Sequence, residues 1–407
     1  MGSFLSCREM AQKWGVSERR VGQYCAEGRV AGAQKIGKSW ALPADAEKPA
    51  DPRRARSMAK PAVGTVVETG ASETVFNEAN FMPLMNATFE PGHCREAVDA
   101  MRPGPQRDIA QAECYYFSGQ PEAAANLAKT HLTSPDMATR LSACLIYAYA
   151  CLPMAQISNA KQALGELNAS LSATTAESPQ LKAAAAFVAS AGAVLLHLPL
   201  PERMPAVESF ASSLPPGVRA FALYVKAHYL YLEGEYARSA GIAEAALAMG
   251  AASYPISAIY LRLVSVMDHM SLKRPDRAEE HLLAAWDIAR PDGLIEGFGE
   301  HHGLLGAMLE AVIKPQWPEE FRRIIDITYR FSSGWRRVHN PATGEDVADD
   351  LTTTEFSIAM LAAREWTTAQ IAAHMGISTN TVKVHISEAM RKLNVSSRKD
   401  LKQYMLR

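Results

Sequence analysis

Two short segments, one near each end of the chain, combine small, hydroxyl and basic side chains in the same order. They are Glu9-Met-Ala-Gln-Lys-Trp-Gly-Val-Ser-Glu-Arg-Arg-Val21 and Gln370-Ile-Ala-Ala-His-Met-Gly-Ile-Ser-Thr-Asn-Thr-Val382. Each has an alanine, a glycine four residues later, a serine two residues after that and then a valine. Basic and hydroxyl groups beside such a turn suit hydrogen bonding to phosphate oxygens and base edges. The repeated pattern indicates a surface that binds nucleic acid.

Two crossed helices joined by a tight turn would position these side chains. Gly15 and Gly376 would end the first helix with a positive φ, which glycine adopts without strain. Ser17 and Ser378 would cap the second helix, each accepting a hydrogen bond from a backbone N–H that has no helical partner. Both segments therefore predict a helix-turn-helix unit whose second helix enters a groove of DNA.

The charge distribution supports this interpretation. Residues 1–60 contain twelve Lys and Arg against six Asp and Glu, and residues 351–407 contain eight against four. The middle of the chain is acidic, with 22 basic against 33 acidic residues, so the formal net charge is only -1. Basic ends and an acidic middle favour ends that approach phosphate and a middle that does not.

Residues 27–43 follow the first segment with two short apolar-alternating runs broken by glycine, which predict a β-hairpin. With this hairpin, residues 1–48 resemble the small winged-helix domains of the excisionase and MerR-like group. That resemblance implies a second helix in the major groove and a hairpin that touches the DNA backbone. By position, Arg19, Arg20 and Gln23 would face the bases, and Lys35 and Lys38 would approach phosphates. Trp40 is expected to pack the hairpin onto the helices.

The second segment belongs to a longer match. Leu351-Thr-Thr-Thr-Glu355, Thr367 to Ser378, Thr381 to Val395 and Ser397-Arg-Lys-Asp-Leu401 resemble the LuxR-type DNA-binding domain without a gap. The resemblance implies four helices, of which the third reads the major groove. By position, Lys383, Val384 and Ser387 would face base edges, and Thr381, Arg391, Lys392 and Arg398 would lie nearer the DNA backbone. His385 is expected to be structural.

Four positions depart from the pattern of that family. Thr354 stands where the family usually has Arg, Glu365 where it has Gly, and Gln370 where it has Glu. The Arg and the Glu would form an internal ion pair, which this chain lacks. Ser387 stands where Lys or Arg is frequent, so this copy is expected to bind DNA more weakly on its own.

Between the two ends, residues 80–335 show a helical pattern in which three segments share one register: residues 112–128, 227–243 and 263–289. A small residue, an aromatic residue and Gly-x-x-x-x-Ala across a turn are typical of tetratricopeptide-like helical hairpins. In the third segment, residues 274–282 replace the glycine-containing turn. Such hairpins stack into a concave surface that suits a partner or ligand.

These observations predict a mainly α protein with four parts. Residues 1–48 form a small winged-helix-like module, 49–78 a flexible basic linker, 79–345 an α-helical tetratricopeptide-like sensor or assembly domain, and 346–407 a four-helix LuxR-type domain. The partners implied are double-stranded DNA, a second copy of the chain, and a protein or small-molecule effector at the helical domain.

Other kinds of chemistry find little support. The six cysteines include no C-x-x-C pair, which favours free thiols in a reducing compartment. The sequence shows no export signal and no apolar stretch long enough to span a membrane. We therefore expect a cytoplasmic protein away from membranes. We expect no enzyme activity, no cofactor and no metal site. The two histidines of Glu300-His-His302 would point about 100° apart on a helix, so they are interpreted as solvated or partly buried side chains.

Two rival functions remain open. In one, the helical domain is an interaction scaffold, DNA is read only at the C-terminus, and the first module binds a protein partner. In the other, Gly32-Ala-Gln-Lys-Ile-Gly-Lys-Ser39, which matches the expression for a phosphate-binding P-loop, makes the chain a nucleotide switch. The residues that follow, Trp40-Ala-Leu-Pro43, cannot begin the helix that a P-loop needs.

Overall fold

The computed structural model describes residues 4–14, 16–26, 30, 32–36, 39–44, 46, 48, 75–154, 156–173, 178–195, 206–339 and 351–402. The chain divides into two compact units, Met1–Ser72 and Glu73–Arg407. Most described residues are helical, which confirms the predicted fold class. None of the helices in this part of the chain combines the length and apolar character needed to cross a membrane.

The first unit has a helical pair and a small sheet. Its elements are β1 (Phe4–Ser6), α1 (Cys7–Trp14), α2 (Glu18–Ala26), β2 (Gln34–Ile36) and β3 (Ser39–Pro43). The strands pair antiparallel in the order β1-β3-β2. The two helices and the hairpin agree with the sequence pattern, whereas β1 was not predicted because three residues show no alternation. Gly15, predicted to end α1, lies outside the described residues.

The core of this unit explains its arrangement. Met10, Val21 and Leu42 have no exposed surface, and they join the two helices to the central strand β3. Trp40 is half-buried against the same core, as predicted. The P-loop interpretation is wrong for this segment: Gly32 lies in a turn with a φ of 76°, and Ser39 begins a strand rather than a helix.

The second unit is a succession of helices. Seven of the helices that the structure describes begin with proline, whose missing N–H costs nothing at the first helical position. They are α3 (Cys94–Asp99), α4 (Pro105–Phe117), α5 (Pro121–Lys129), α6 (Met137–Cys151), α7 (Ile157–Ala173), α8 (Pro179–Leu195), α9 (Pro216–Leu232), α10 (Tyr236–Ala248), α11 (Pro255–Ser271), α12 (Pro275–Ala289), α13 (Glu296–Glu300), α14 (His302–Met308), α15 (Lys314–Gln316), α16 (Pro318–His339), α17 (Thr353–Ala363), α18 (Thr368–Met375) and α19 (Thr379–Lys392). A π-helical turn, Leu309–Ile313, joins α14 to α15, and a 3-10 turn, Arg398–Leu401, follows α19.

The three segments with a shared register are helical hairpins built on the same turn. Gly119, Gly234 and Lys273 occupy its left-handed position, with φ of 76°, 79° and 59°. The residue after the left-handed position donates its backbone N–H to the carbonyl five residues earlier. The three bonds run from Gln120 to Tyr115, from Glu235 to Leu230 and from Arg274 to His269. The bond satisfies a helix-end carbonyl. The third turn was placed too late from the sequence, since residues 275–282 belong to α12.

One continuous cluster of buried apolar side chains runs from Phe81 to Leu401. It includes Leu263 of α11, Ile358 of α17 and Val382 of α19, all with no exposed surface. The C-terminal helices therefore pack on the preceding helical domain within one compact unit.

Within the helical domain, His301 is buried and the neighbouring Glu300 is half-buried. Glu300 accepts hydrogen bonds from the hydroxyls of Tyr116 and, at 2.9 Å, Tyr260. His301 lies 2.8 Å from the Tyr224 hydroxyl, and burial lowers the pKa of its imidazole to about 4. The expectation of a solvated or partly buried histidine is wrong for His301, because Gly297 and Gly299 let α13 enter the core. The side chain of His302 lies outside the described residues.

Candidate nucleic-acid interface

Each of the three C-terminal helices begins with a hydroxyl cap. Thr352 and Glu355 form a reciprocal capping box at the start of α17, and Thr367 and Gln370 form another at the start of α18. The Ser378 hydroxyl accepts from the Thr381 N–H at 3.0 Å, which caps α19 as predicted.

The turn between α18 and α19 is the one that the sequence predicted. Gly376 has a φ of 65°, and the Ile377 N–H donates to the Ala372 carbonyl at 3.1 Å. Because a side chain in this conformation is strained, glycine is the residue that ends α18 here at least cost. The turn sets the angle between the scaffold helix α18 and the helix α19.

Helix α19 has one buried face and one exposed face. Val382, Ile386 and Ala389 point into the core, at the helical spacing of four and three residues. The three side chains predicted to face base edges, Lys383, Val384 and Ser387, are all exposed. Val384 keeps 54% of its surface accessible, although it is apolar. The predicted reading residues thus share one solvent-facing surface, which we call the reading face (Lys383, Val384 and Ser387).

The residues predicted to lie near the DNA backbone differ in how they are held. Arg391 is exposed and pairs with Glu388 on the next turn at 2.9 Å. The Thr381 hydroxyl lies 2.8 Å from that of Ser378.

Lys392 and Arg398 are bound inside the C-terminal domain. The Lys392 ammonium lies 2.7 Å from the Glu355 carboxylate, whose side chain is only 9% exposed. Arg398 donates to the Trp366 carbonyl and, at 3.4 Å, to the Thr368 hydroxyl. Both side chains therefore connect helices to each other in this structure, and their contact with DNA stays a prediction.

Three of the four departures from the family pattern, Glu365, Gln370 and Thr354, are seen in their local structure. Glu365 has a φ of 63° at the end of α17, which is the conformation that favours the family's glycine. Gln370 is engaged in the α18 capping box, and the Thr354 hydroxyl donates to Glu310 of the π-helical turn at 3.3 Å. In place of the ion pair expected in the family, Gln370 and Thr354 make separate hydrogen bonds, and that of Thr354 reaches the helical domain. Ser387 stays on the reading face.

Polar contacts hold the C-terminal domain on the turn between α11 and α12. The Arg364 guanidinium, 9% exposed, donates to the Ser271 hydroxyl at 3.2 Å and to the Tyr231 hydroxyl. The Trp366 indole N–H donates to the Met270 carbonyl at 3.3 Å. These bonds satisfy buried polar groups that would otherwise be costly to leave without partners.

A second contact area surrounds the π-helical turn. Glu310 accepts from Lys314 at 2.6 Å as well as from Thr354. His374 of α18 is half-buried against the Trp366 ring, with ring centres 5.5 Å apart. Burial lowers the pKa of His374, partly offset by a hydrogen bond to the Ala307 backbone. The docked surface is therefore formed by α17 and α18, and the reading face of α19 lies outside it.

The candidate residues of the first unit are only partly described. Lys35 is exposed on β2, opposite Trp40 on β3, and its ammonium lies 5.9 Å from the centre of that indole. Arg19, Arg20 and Gln23 lie in α2, but their side chains are outside the described residues, as is Lys38. Their assignment to bases and phosphates stays a prediction.

Sequence reasoning missed the residues that dock the C-terminal domain. Arg364 and Trp366 were not singled out, although they flank the position where Glu365 replaces the family's glycine. That replacement was the available signal, because a non-glycine residue in a left-handed position needs compensating contacts. The partners on the helical domain, Met270 and Ser271, carry no pattern that could have indicated them.

Comparison with known families supports the C-terminal assignment. Residues 349–405 match the GerE model, described as bacterial regulatory proteins, luxR family. No curated protein and no solved structure matches the chain. The matched region contains the capped helices α17 to α19, the Gly376 turn and the reading face. The C-terminal part of this chain is a LuxR-family helix-turn-helix domain, and this supports a DNA-binding transcriptional regulator.

Proposed function

We propose that the chain is a sequence-specific transcriptional regulator that reads double-stranded DNA with α19. The helical domain would position the C-terminal domain and respond to an effector. The observation that carries this proposal is the reading face: Lys383, Val384 and Ser387 stay exposed although α17 and α18 are packed on the helical domain. An exposed apolar side chain between a cation and a hydroxyl suits the methyl groups and acceptors of a major groove.

Affinity and specificity come from different side chains in this account. Arg391 would neutralise a phosphate and release its counterions, which makes binding salt-dependent. Lys383 would donate hydrogen bonds to acceptors on base edges. Val384 and Ser387 contribute discrimination through direct contact with base edges. Thr381 lies at the N-terminal end of α19, where the helix dipole favours a phosphate.

The helical domain is proposed as the sensor. Its hairpins share a core with the C-terminal domain, so an effector that changes the packing of α11 or α12 changes the surface on which α17 and α18 rest. A protein or small-molecule effector would thereby alter how two copies present their reading faces. LuxR-type domains act as dimers on paired half-sites, and we extend that arrangement, and a cytoplasmic location, to this chain.

The first unit is proposed as a second DNA-contacting module of winged-helix type. Support comes from its strand-helix-helix-hairpin order and from exposed Lys35 on the hairpin. The competing assignment is a module that binds a protein partner, which leaves α19 as the one DNA reader.

Truncation separates the two assignments. DNA captured from a fragmented genome by the full chain is compared with DNA captured after removal of residues 1–48, across a salt series. If both ends of the chain contact one DNA site, truncation should abolish the enriched set of sequences. It should also make the dependence of DNA affinity on salt concentration shallower. An unchanged set and slope would assign the first unit to a protein partner. Failure of the full chain to enrich any DNA with α19 intact would contradict the regulator itself.

A further inference from the structure

Two buried histidines of the helical domain meet one carboxylate. His269 lies in the last turn of α11, His281 in α12 and Glu244 in α10. Both Nε2 atoms approach the same oxygen, Glu244 Oε1, at 2.9 Å and 3.2 Å. The imidazoles are stacked, with centres 5.5 Å apart and planes 15° from parallel.

The spacing of these three atoms suits a small divalent ion. The donor atoms lie within 4.8 Å of one another. An ion held tetrahedrally at bonds of roughly 2.0–2.1 Å separates neighbouring ligand atoms by roughly 3.3 Å, close to the distances found here. A modest separation of the three side chains would admit such an ion.

The two histidines of this group are buried, whereas its glutamate is partly exposed. The side chains of His269 and His281 are 4% and 7% exposed, whereas that of Glu244 is 37% exposed. An ion can therefore enter past the carboxylate and keep one coordination position toward solvent, while the imidazoles supply rigid ligands from the protein side.

Three donors meet at one oxygen of the group. His269, His281 and Arg277 all lie within 3.2 Å of Glu244 Oε1. Neither imidazole Nδ1 has a hydrogen-bond partner, so the contacts at Nε2 are the polar contacts that orient both rings toward the carboxylate.

We propose that Glu244, His269 and His281 form a site for a divalent first-row transition-metal ion of the Zn²⁺ type, with two imidazoles, one carboxylate and an open fourth position. Two nitrogen ligands exclude Mg²⁺ and Ca²⁺ as the preferred ions, since these require oxygen ligands. The proposal goes beyond DNA binding and does not depend on it.

Arg277 is the group that the ion must displace. Its guanidinium lies 3.1 Å from Glu244 Oε1 and 2.5 Å from Glu280, and its side chain is 49% exposed. Because it is exposed and already has a second acceptor, it can turn away from Glu244 while keeping Glu280. A positive charge beside the site weakens cation binding, which makes Arg277 a direct probe of where the ion binds.

The site adjoins the turn on which the C-terminal domain rests. His269 is followed by Met270 and Ser271, which bond Trp366 and Arg364. An ion that ties α10, α11 and α12 together would rigidify that turn, which gives the helical domain a route for sensing.

Titration of the full-length, chelator-stripped protein with Co²⁺ tests the site, since tetrahedral Co²⁺ with nitrogen ligands absorbs in the visible range. We expect one Co²⁺ per chain, displaced by Zn²⁺, and loss of at least about tenfold in affinity for His281→Gln and Glu244→Gln. The matched control is His131→Gln, because His131 pairs with a carboxylate, Asp108, at 3.1 Å without a second histidine. Equal affinities in the wild type and both site variants would overturn the proposal.

Arg277→Ala keeps the test valid if a buried variant fails to fold. Its exposed side chain is not needed for the core, and removing its charge should tighten Co²⁺ binding several-fold. If the ion bound away from Glu244, loss of the Arg277 charge would not strengthen its binding. An affinity equal to or weaker than that of the wild type would therefore place the ion elsewhere and overturn the proposal.

Discussion

Lys273 and Glu365, the residues that end α11 and α17, both have left-handed backbone conformations and are joined by a hydrogen bond. Their φ angles are 59° and 63°, and the Lys273 ammonium donates to the Glu365 carbonyl at 3.1 Å. Neither is glycine, although each occupies a helix-ending position that glycine favours. The helical domain and the C-terminal domain therefore meet where two strained turns face each other.

The strain at Glu365 predicts a stabilising substitution. A left-handed conformation costs a non-glycine residue about 1–2 kcal/mol, and Glu365→Gly should recover up to about 1 kcal/mol of that, since glycine also loses more entropy on folding. Native-state hydrogen exchange of the α17 and α18 amides would measure the gain. Glu365→Ala is the control, because it removes the exposed carboxylate bonded to Lys402 but keeps Cβ. Equal gains in both variants would contradict strain as the cause.

Removing the Arg364 side chain should loosen both α11 of the helical domain and α17 of the C-terminal domain. Arg364→Ala leaves the Ser271 and Tyr231 hydroxyls without their buried partner, which should cost about 1–3 kcal/mol. We expect faster hydrogen exchange at the end of α11 and in α17 together. Arg391→Ala, an exposed arginine of the same domain, should leave both unchanged. Faster exchange confined to α17 would show that the contact does not hold the two domains together.

The Lys392–Glu355 pair predicts an acid-dependent loss of stability. Burial opposes ionisation of Glu355, but the Lys392 ammonium and the Thr352 backbone N–H hold its pKa below the usual value. A lowered pKa contributes stability that is present above the unfolded pKa of about 4.3 and is lost as pH falls through the folded value. The difference in unfolding free energy between wild type and Lys392→Met should therefore be largest near neutral pH and shrink in acid. A difference that does not vary with pH would contradict this role.

Arg391 and Lys392 are neighbours with different expected effects on DNA binding. Arg391→Ala should weaken binding to all sequences and reduce the salt slope by about 1, the signature of one phosphate contact. Lys392→Met should leave the slope unchanged, because its ammonium is bound to Glu355. Fluorescence anisotropy across a salt series separates the two. Equal slope changes would show that Lys392 leaves Glu355 in the complex.

Local backbone features were predictable from the sequence where single residues determine them. Gly376 and Ser378 end and begin helices as their types require, and Gly119 and Gly234 mark the turns of the helical hairpins. Lys273 occupies the same kind of turn without any sequence signal, so the third hairpin turn was placed too late.

Contacts between distant elements were not predictable. Trp366 meets Met270, and Glu244 meets His269 and His281, across helices whose sequence separations follow no ligand or repeat spacing. Patterns within one helix show which face is apolar, but they do not show which other helix covers it. The phosphate assignments of Lys392 and Arg398 rest on position alone and stay predictions, and their contacts inside the domain were not foreseen from the sequence.

The reading face of α19 is proposed to recognise DNA, and capture of DNA from a fragmented host genome tests this directly. The full chain is compared with Lys383→Ala and Lys182→Ala. Lys182 is an exposed lysine on α8, so its removal changes the net charge equally without touching α19. We expect one enriched set of sequences to be lost in Lys383→Ala and kept in Lys182→Ala. Retention of the same set by Lys383→Ala, with unchanged affinity, would contradict it.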